Sequence, residues 1–570
     1  MQIGADPNLG YIDSNFYVPK SLVNVAGVKN ALTFVYFTGK DREATSLTLY
    51  QETEHHLVVP REYWQEGMFD FQLIDYRPQT YKRVMIRSRI QLDHKRLNDN
   101  SLVPTGEYVQ EEALNAMLNA RGGILQLACG RGKTVIALEA MSRLSMPTII
   151  VVDNMQLLTQ WRNSIEEFLD VPGGVGLVGD GVFDWEGKSV VLATYQTLAQ
   201  QREQLTEEFR RWFGVAIFDE AHHVNAPTFS RSTDLFYNRR YGLTATPERN
   251  DGLHVIHQFN FGECFYKDLT QDLKPRIYFY WTGFALDEND PDVIAGTRTK
   301  SGELNLSMLA TWFGQWRDRL AFIIKEVRKA YDQGRKILVL SNSVDELVNL
   351  LAMWNGETFL YTDLPTPDLL PGEPPPARIS MEDEETLLKD LKDLLAEMPT
   401  LPDRSKGKAM KKMEDIEFTL EQLRVARRID KLMNKSQKKY REELLAMTSD
   451  AGLMIHKVPA EDRMRMLKEK RITFAIAKYG KEGLDDKALD TAFLLEPTSS
   501  RNVLQQMMGR IQRYKEGKGA PVFTVFEDNI RPVINMCNAM RRHLRKWPVS
   551  EGGPYSYEFV GYPQSARKAR

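Results

Sequence analysis

The chain has 570 residues, of which 42% are hydrophobic and 27% charged, with a formal net charge of −2. That length exceeds one ordinary core and calls for about two to four domains, while the composition is that of a soluble globular protein without an apolar run of roughly eighteen residues or a signal-peptide pattern. Three scattered cysteines (Cys129, Cys264, Cys537) exclude a disulfide framework and a zinc site and point to a reducing compartment, and the near-neutral charge excludes a globally basic nucleic-acid binder but not a local basic channel.

From the N-terminus, "ALTFVYF", "SLTLYQE" and "HLVVPREYW" read as short strands broken by charged turns, a small α/β or β-rich accessory domain over residues 1–100. Within it Tyr76, Arg77, Tyr81, Lys82, Arg83, Arg87 and Arg89 form an aromatic and basic cluster. On alternating strand positions these make either a stacking and phosphate-binding face or an ordinary charged strand surface.

Next, "GGILQLA" (122–128) has the short apolar run of a buried parallel strand, and "KTVIALEAMSRL" (133–144) reads as a helix. Between them stands "CGRGKT", the end of a phosphate-binding loop in which Leu127 occupies the place of the first glycine. Gly130 and Gly132 let backbone amides, with that of Arg131 between them, turn on phosphates. Lys133 reaches the β- and γ-phosphates of ATP, and the Thr134 hydroxyl ligates Mg²⁺. "GVAIFDEAHH" (214–223) is another apolar strand ending in two carboxylates, Asp219 for the metal shell and Glu220 for the attacking water. "RYGLTATPERNDG" (240–252) follows, a strand end with small hydroxylated residues.

Beyond about residue 275 the apolar strand "RIYFYWTGF" opens a second α/β unit, and a helix beginning at "LSMLATWF" leads to the strand "KILVLS". A Pro-rich stretch, "LPTPDLLPGEPPPARI", reads as extended linker. Ser380 then caps a helix with a leucine stripe, and a second, Lys- and Arg-rich helix spans about 408–446, so that 364–450 is an inserted helical hairpin. Its cations either grip a duplex backbone or stand solvated on a brace. Last, "QQMMGRIQR" (505–513) puts Arg510 and Arg513 three apart on one helix face, where they supply charge to a γ-phosphate.

Taken in this order, the segments resemble the motor core of helicase superfamily 2: ACGRGKT, DEAH, TATP and Q-x-x-G-R-x-x-R, with "TIIVVDNMQLLTQW", "VVLATYQTL", "KILVLSNSVDEL" and "ITFAIAKYGKEGLDDKALDTAFLL" at the places of motifs Ia, Ib, IV and V. That branch commonly lacks the first glycine of the loop, and Ala128 is the matching small residue. The nearest look is to XPB-like and phage UvsW-type helicases. Arg249-Asn250-Asp251 departs from the Arg-Glu-Asp common in the former, and Asp153 stands where a proline is common.

The resemblance implies two tandem RecA-like domains, parallel sheets flanked by helices, at 101–270 and 271–548, the second interrupted by the insertion, with a tail at 549–570. It implies that Gln110 reads adenine, and that Gly483 and Asp485 lie near the ribose and the finger arginines. Thr244, Thr246 and Gln506 couple the ATP site to the track, and Thr194, Asn342 and Arg249 contact DNA. The expected activity is an ATP-dependent DNA helicase or translocase acting on forked or branched DNA in recombination, replication or repair. The expected partners are DNA, whether duplex, single-stranded or branched, and recombination or replication proteins, with no membrane, in the cytoplasm of a bacterial host if phage-encoded. A duplex translocase without unwinding and, less so, an RNA helicase share the same motor motifs.

Overall fold

In the computed structural model the described residues are 6–38, 43–63, 68–96, 101–221, 230–245, 255–299, 302–357, 450–455, 458–481 and 486–563, with single residues and short pieces between 389 and 446. The N-terminal strands are β1 (Gly10–Ile12), β2 (Asn15–Pro19), β3 (Thr33–Thr38), β4 (Glu43–Thr48), β5 (Gln51–Glu52), β6 (His56–Pro60) and β7 (Leu73–Asp75). Five of them form a sheet in the order β5-β6-β2-β1-β7, and β3 and β4 pair as a separate antiparallel ladder. Phe16, Val18, Leu57 and Val59 alternate inward and are buried.

Two arginines fasten this sheet to the next domain. Arg61 donates to the Tyr237 carbonyl at 2.8 Å, and Arg240 donates to the Ser14 carbonyl at 2.6 Å and to the Thr233 carbonyl at 3.0 Å. Burial depresses the Arg240 pKa to about 9, and the carbonyl partners offset part of that desolvation.

The accessory sheet closes at Asp75, short of the expected boundary at residue 100. Residues 76–96 and 101–104 form a strap laid along the first motor domain. Val84 N–H donates to Ser145 O at 3.0 Å, Ser142 donates to Ile86 O at 2.9 Å, and Ile86 is buried in the motor's own core. In the strap β8 (Arg87–Ser88) pairs with residues 169 and 170, and β9 (His94–Arg96) pairs with β10 (Leu102–Pro104). Part of the aromatic and basic cluster has internal partners, while Lys82, Arg83 and Arg87 are exposed. Arg77 pairs with Asp75, the Tyr76 ring lies 6.0 Å from Tyr11, and Arg89 donates to the carbonyls of Glu166, Glu167 and Leu169. Arg89 therefore caps the C-terminal end of a helix, where free carbonyls favour a cation.

The first motor domain contributes β11 (Gly123–Leu127), β12 (Thr148–Val152), the short β13 (Leu169–Asp170), β14 (Val175–Gly179), β15 (Val182–Asp184), β16 (Val190–Thr194), β17 (Val215–Asp219), β18 (Arg239–Thr244) and β19 (Cys264–Asp268). Its sheet runs β15-β14-β16-β12-β17-β18-β11-β19, parallel apart from the edge strand β15. The second motor domain contributes β20 (Arg276–Trp281), β21 (Ile337–Ser341), β22 (Ala451–Met454), β23 (Ile472–Ile476), β24 (Thr491–Leu494), β25 (Val522–Glu527) and β26 (Tyr557–Val560), in the all-parallel order β22-β23-β21-β24-β25-β20-β26. Central strands such as β12, β17 and β21 are buried at every residue, because helices cover both faces. Each sheet accordingly has two apolar cores, one per face. This is the expected tandem RecA-like α/β architecture.

The C-terminal segment differs from the expected tail. β26 lies within 549–570 and pairs with β20 as the edge of the second sheet. Most of the insertion lies outside the described residues. Near its end, Leu444 is buried in the second motor core and its carbonyl accepts from Asn355 at 2.9 Å.

A fully buried arginine organises the second domain. Arg319 pairs with Glu346, with Asp528 at 3.0 Å, and donates to the Leu495 carbonyl at 2.9 Å. All three charged side chains are inaccessible to solvent, so removing the cation strands two carboxylates in a low dielectric. Arg319→Ala is expected to cost roughly 3–5 kcal/mol, measured as a lowered denaturant midpoint for the second domain's unfolding.

Candidate active site between the two sheets

The loop after β11 carries the phosphate-binding pattern. Leu127 is the last residue of that strand and fully buried, so a side chain there packs the core and the turn begins after it. Gly130 and Gly132 adopt φ of +89° and +93°, conformations in which a Cβ is strained. Gly132 also caps the helix Lys133–Leu144, whose first residue is Lys133 and second Thr134. A Cβ on Gly132 would stand 2.4 Å from Gln110 Nε2. The loop thus presents a glycine cradle at a helix N-terminus, the arrangement that receives phosphate.

Gln110 lies against this cradle. Its Nε2 donates to the Arg131 carbonyl at 3.4 Å and its Oε1 accepts from Asp93 N–H at 2.7 Å. The Asp93 carboxylate in turn accepts from the amides of Gln110 and Glu111 at 2.9 and 3.0 Å. Asp93, in the strap just before β9, has no signature in the sequence that marks it as the anchor of Gln110.

The Arg131 side chain lies among carboxylates beside the loop. Its guanidinium pairs with Asp268 at 2.9 Å, Asp272 at 3.1 Å and Glu107 at 3.0 Å, and its amide donates to the Ala128 carbonyl. These pairs fix the guanidinium at the edge of the loop.

At the end of β17, Asp219 is almost completely buried, and Glu220 beside it has a φ of +47°, a rare value for a residue with a side chain. Asp219 Oδ1 accepts the Glu220 amide at 3.0 Å, its Oδ2 accepts Trp161 Nε1–H at 2.8 Å, and its carbonyl accepts the Tyr195 hydroxyl at 3.0 Å. Burial and the neighbouring Glu220 push the Asp219 pKa up to about 6, against the opposing pull of Lys133 and the Trp161 donor. Thr244 ends β18, buried, on the strand that lies between β17 and β11. Thr246, Arg249, Gly483 and Asp485 lie outside the described residues.

From the second domain, the helix Arg501–Ile511 closes on the loop. A Cβ on Gly509 would lie 3.0 Å from Cys129 Cβ. Gln506 and Arg510 are buried on this helix. Arg513 is not on it, since the helix ends at Ile511 with Gln512 as its cap. Instead the chain turns, and Arg513 Cγ comes within 2.9 Å of where a Gly130 Cβ would sit. The connector between the domains is held from both sides. Asp272 bonds the Arg131 side chain and the Tyr514 amide (3.1 Å), while Gln512 exchanges hydrogen bonds with Leu273.

The two expected DNA-contacting residues that are described serve local structure. Thr194 caps the helix Tyr195–Gln200 through the Thr197 amide at 3.2 Å, and Asn342 is held by Glu496, whose carboxylate accepts its amide at 3.0 Å. Burial beside Glu346 holds Glu496 well above the usual carboxylate range. Both residues stand at the carboxyl ends of parallel strands, where open α/β sheets bind ligands.

Fold and site together place a phosphate-loop sequence pattern at the interface of two tandem parallel α/β domains. The more particular likeness is to the XPB-like branch of helicase superfamily 2. A family model described as "Type III restriction enzyme, res subunit" matches residues 104–249. The chain is 36% identical over 165 residues to the "DNA 3'-5' translocase XPB2" of Sulfurisphaera tokodaii, covering 29% of this chain and 36% of that one. It is 28% identical over 273 residues to the "General transcription and DNA repair factor IIH helicase/translocase subunit XPB" of Encephalitozoon cuniculi, covering 44% and 39%. It is also 25% identical over 264 residues to a "Putative ATP-dependent RNA helicase L396" of Acanthamoeba polyphaga mimivirus, covering 46% and 50%. The chain thus spans between about a third and a half of these relatives' lengths.

The cradle gives a direct test. Gly132→Ala puts a Cβ into Gln110 at a left-handed backbone position, a strain of about 1–2 kcal/mol before any displacement. Affinity for a fluorescent ATP analogue is expected to fall more than tenfold, with the thermal midpoint lowered only slightly.

Proposed function

We propose that the protein is an ATP-dependent DNA motor, a helicase or translocase that remodels forked or branched DNA during recombination, replication or repair. The observation that carries the reading is the meeting of the Gly130 loop with Gly509 and Arg513 of the other domain. Nucleotide at that loop would be touched by both domains, so its hydrolysis changes the relation between them, and the sheets' carboxyl edges move as a track.

In this reading the loop amides and the helix Lys133–Leu144 hold the phosphates, and Lys133 neutralises them. Gln110, fixed by Asp93 and Arg131, presents its amide to the base. The donor set suits Mg²⁺, because Thr134 and Asp219 can complement phosphate oxygens; among the described residues no three His, Cys, Asp or Glu side chains gather as a protein cage. Bound there, Mg²⁺ would supply charge neutralisation at the phosphates. Glu220 orients the attacking water, and Arg513, with Arg510 behind it, supplies positive charge as the cleft closes. Among the described residues no helix is long and apolar enough to cross a membrane.

The relatives named as DNA translocases and as XPB support DNA, and the one named as an RNA helicase makes RNA the control to include. ATP hydrolysis is measured without nucleic acid and with single-stranded DNA, duplex DNA, a branched junction or RNA. Stimulation strongest with branched or duplex DNA is expected. Lys133→Ala should abolish it, and Arg513→Ala should lower kcat by roughly 10³-fold while nucleotide affinity stays within a few-fold. Stimulation by RNA alone would replace the substrate class, and hydrolysis indifferent to nucleic acid would sink the motor reading.

A further inference from the structure

Two buried aromatic donors converge on Asp219 from elements that carry the track. Trp161 sits on the helix Met155–Phe168, whose N-terminus is capped by Asn154 at the carboxyl end of β12. Tyr195 opens the next helix, capped by Thr194 at the carboxyl end of β16. These strands are neighbours, with Val152 opposite Thr194, and β12 also pairs with β17, which ends in Asp219. The two caps therefore lie side by side on the edge where a ligand of this sheet is expected. Behind them, Trp161 donates to the Asp219 carboxylate at 2.8 Å and Tyr195 to the Asp219 carbonyl at 3.0 Å.

A buried indole N–H or phenol O–H needs some partner, and a backbone carbonyl on its own helix or sheet would serve stability alone. Here both go to the residue placed to hold the metal, one on its side chain and one on its main chain. Trp161 is six residues along a rigid helix from its start, about 9 Å at 1.5 Å per residue. The same helix meets the second domain. Gln156 donates to Met464 Sδ at 3.4 Å and accepts from Arg463 at 3.4 Å, on the helix Ala460–Glu469. A tilt of this one helix, caused by a strand of nucleic acid at its N-terminus or by closure of the domains, shifts the donor that fixes the Asp219 carboxylate.

We propose that Trp161 and Tyr195 are positioning residues that transmit occupancy of the nucleic-acid track to Asp219, setting how far nucleic acid accelerates ATP hydrolysis. The inference rests on the motor reading above. It adds a specific route, distinct from the hydroxyls of Thr244 and Thr246.

The test compares wild type with Trp161→Phe and Tyr195→Phe, each lacking one donor, and with Trp161→His, which retains a ring N–H. The quantity read is the ratio of kcat with saturating DNA to kcat without it, alongside DNA affinity by fluorescence anisotropy. The ratio is expected to fall at least fivefold in each Phe variant, with DNA affinity within twofold of wild type and part of the ratio restored in Trp161→His. A purely structural role would scale both rates together, so an unchanged ratio overturns the inference, as does a loss that tracks weakened DNA binding. Should Trp161→Phe fail to fold, Tyr195→Phe, smaller by one oxygen, decides alone. A wild-type rate indifferent to every nucleic acid overturns the motor reading and this inference with it; a stimulated wild type with unaltered variants overturns the inference only.

Discussion

The arrangement of the whole molecule turns on how closely two backbones approach at the phosphate loop. Cys129 and Gly509 meet where a methyl group on Gly509 would already be tight, and Gly130 lies under the stem of Arg513. A larger residue at Gly509 presses on Cys129, and one at Gly130 displaces the Arg513 stem from the loop. The parallel strands, their covering helices and the connector all serve to bring that one edge of each sheet to the same place. Dispersion forces fall steeply over an ångström, so the glycines are a condition of the cleft as much as the charged groups are.

Charge is then distributed around the cleft by separate means in each domain. In the first, Arg131 gathers Asp268, Asp272 and Glu107 beside the loop. In the second, Arg319 holds Glu346 and Asp528 beneath the strand ends, and Ser341 joins Glu346 to Glu496, which fixes the Asn342 amide. Both networks sit just behind residues at the cleft or at the strands' carboxyl ends. Buried ion pairs are often no more stabilising than apolar packing, and here their effect is to fix orientation.

Much of this was legible in the sequence because it is local. A five-residue apolar run followed by glycines and Lys133-Thr134 specifies strand, turn and helix N-terminus at once, and the run ending in Asp219-Glu220 specifies the second carboxylate-bearing edge. The family pattern supplied the order of these pieces and the tandem architecture. What was not legible depends on partners distant in the chain. Asp93 meets Gln110 across seventeen residues, and Trp161 meets Asp219 across fifty-eight; neither spacing follows a helical or strand period. Arg510 and Arg513 have the spacing of one helix face, yet the helix stops between them because Gln512 is tied to Leu273 and Tyr555. The basic residues near position 80 illustrate the same limit, since only the fold reveals that Arg77 and Arg89 have internal partners.

The strap carries one more implication. It begins at the accessory sheet, bonds the first motor domain at Ser142 and Ser145, and contains Asp93, which holds the glutamine at the glycine cradle. The N-terminal sheet is therefore not an appendage that evolution can exchange freely at a linker. A different module grafted onto this motor would have to enter ahead of the strap or bring an equivalent one, so the strap marks how far the catalytic unit extends upstream of its first motif.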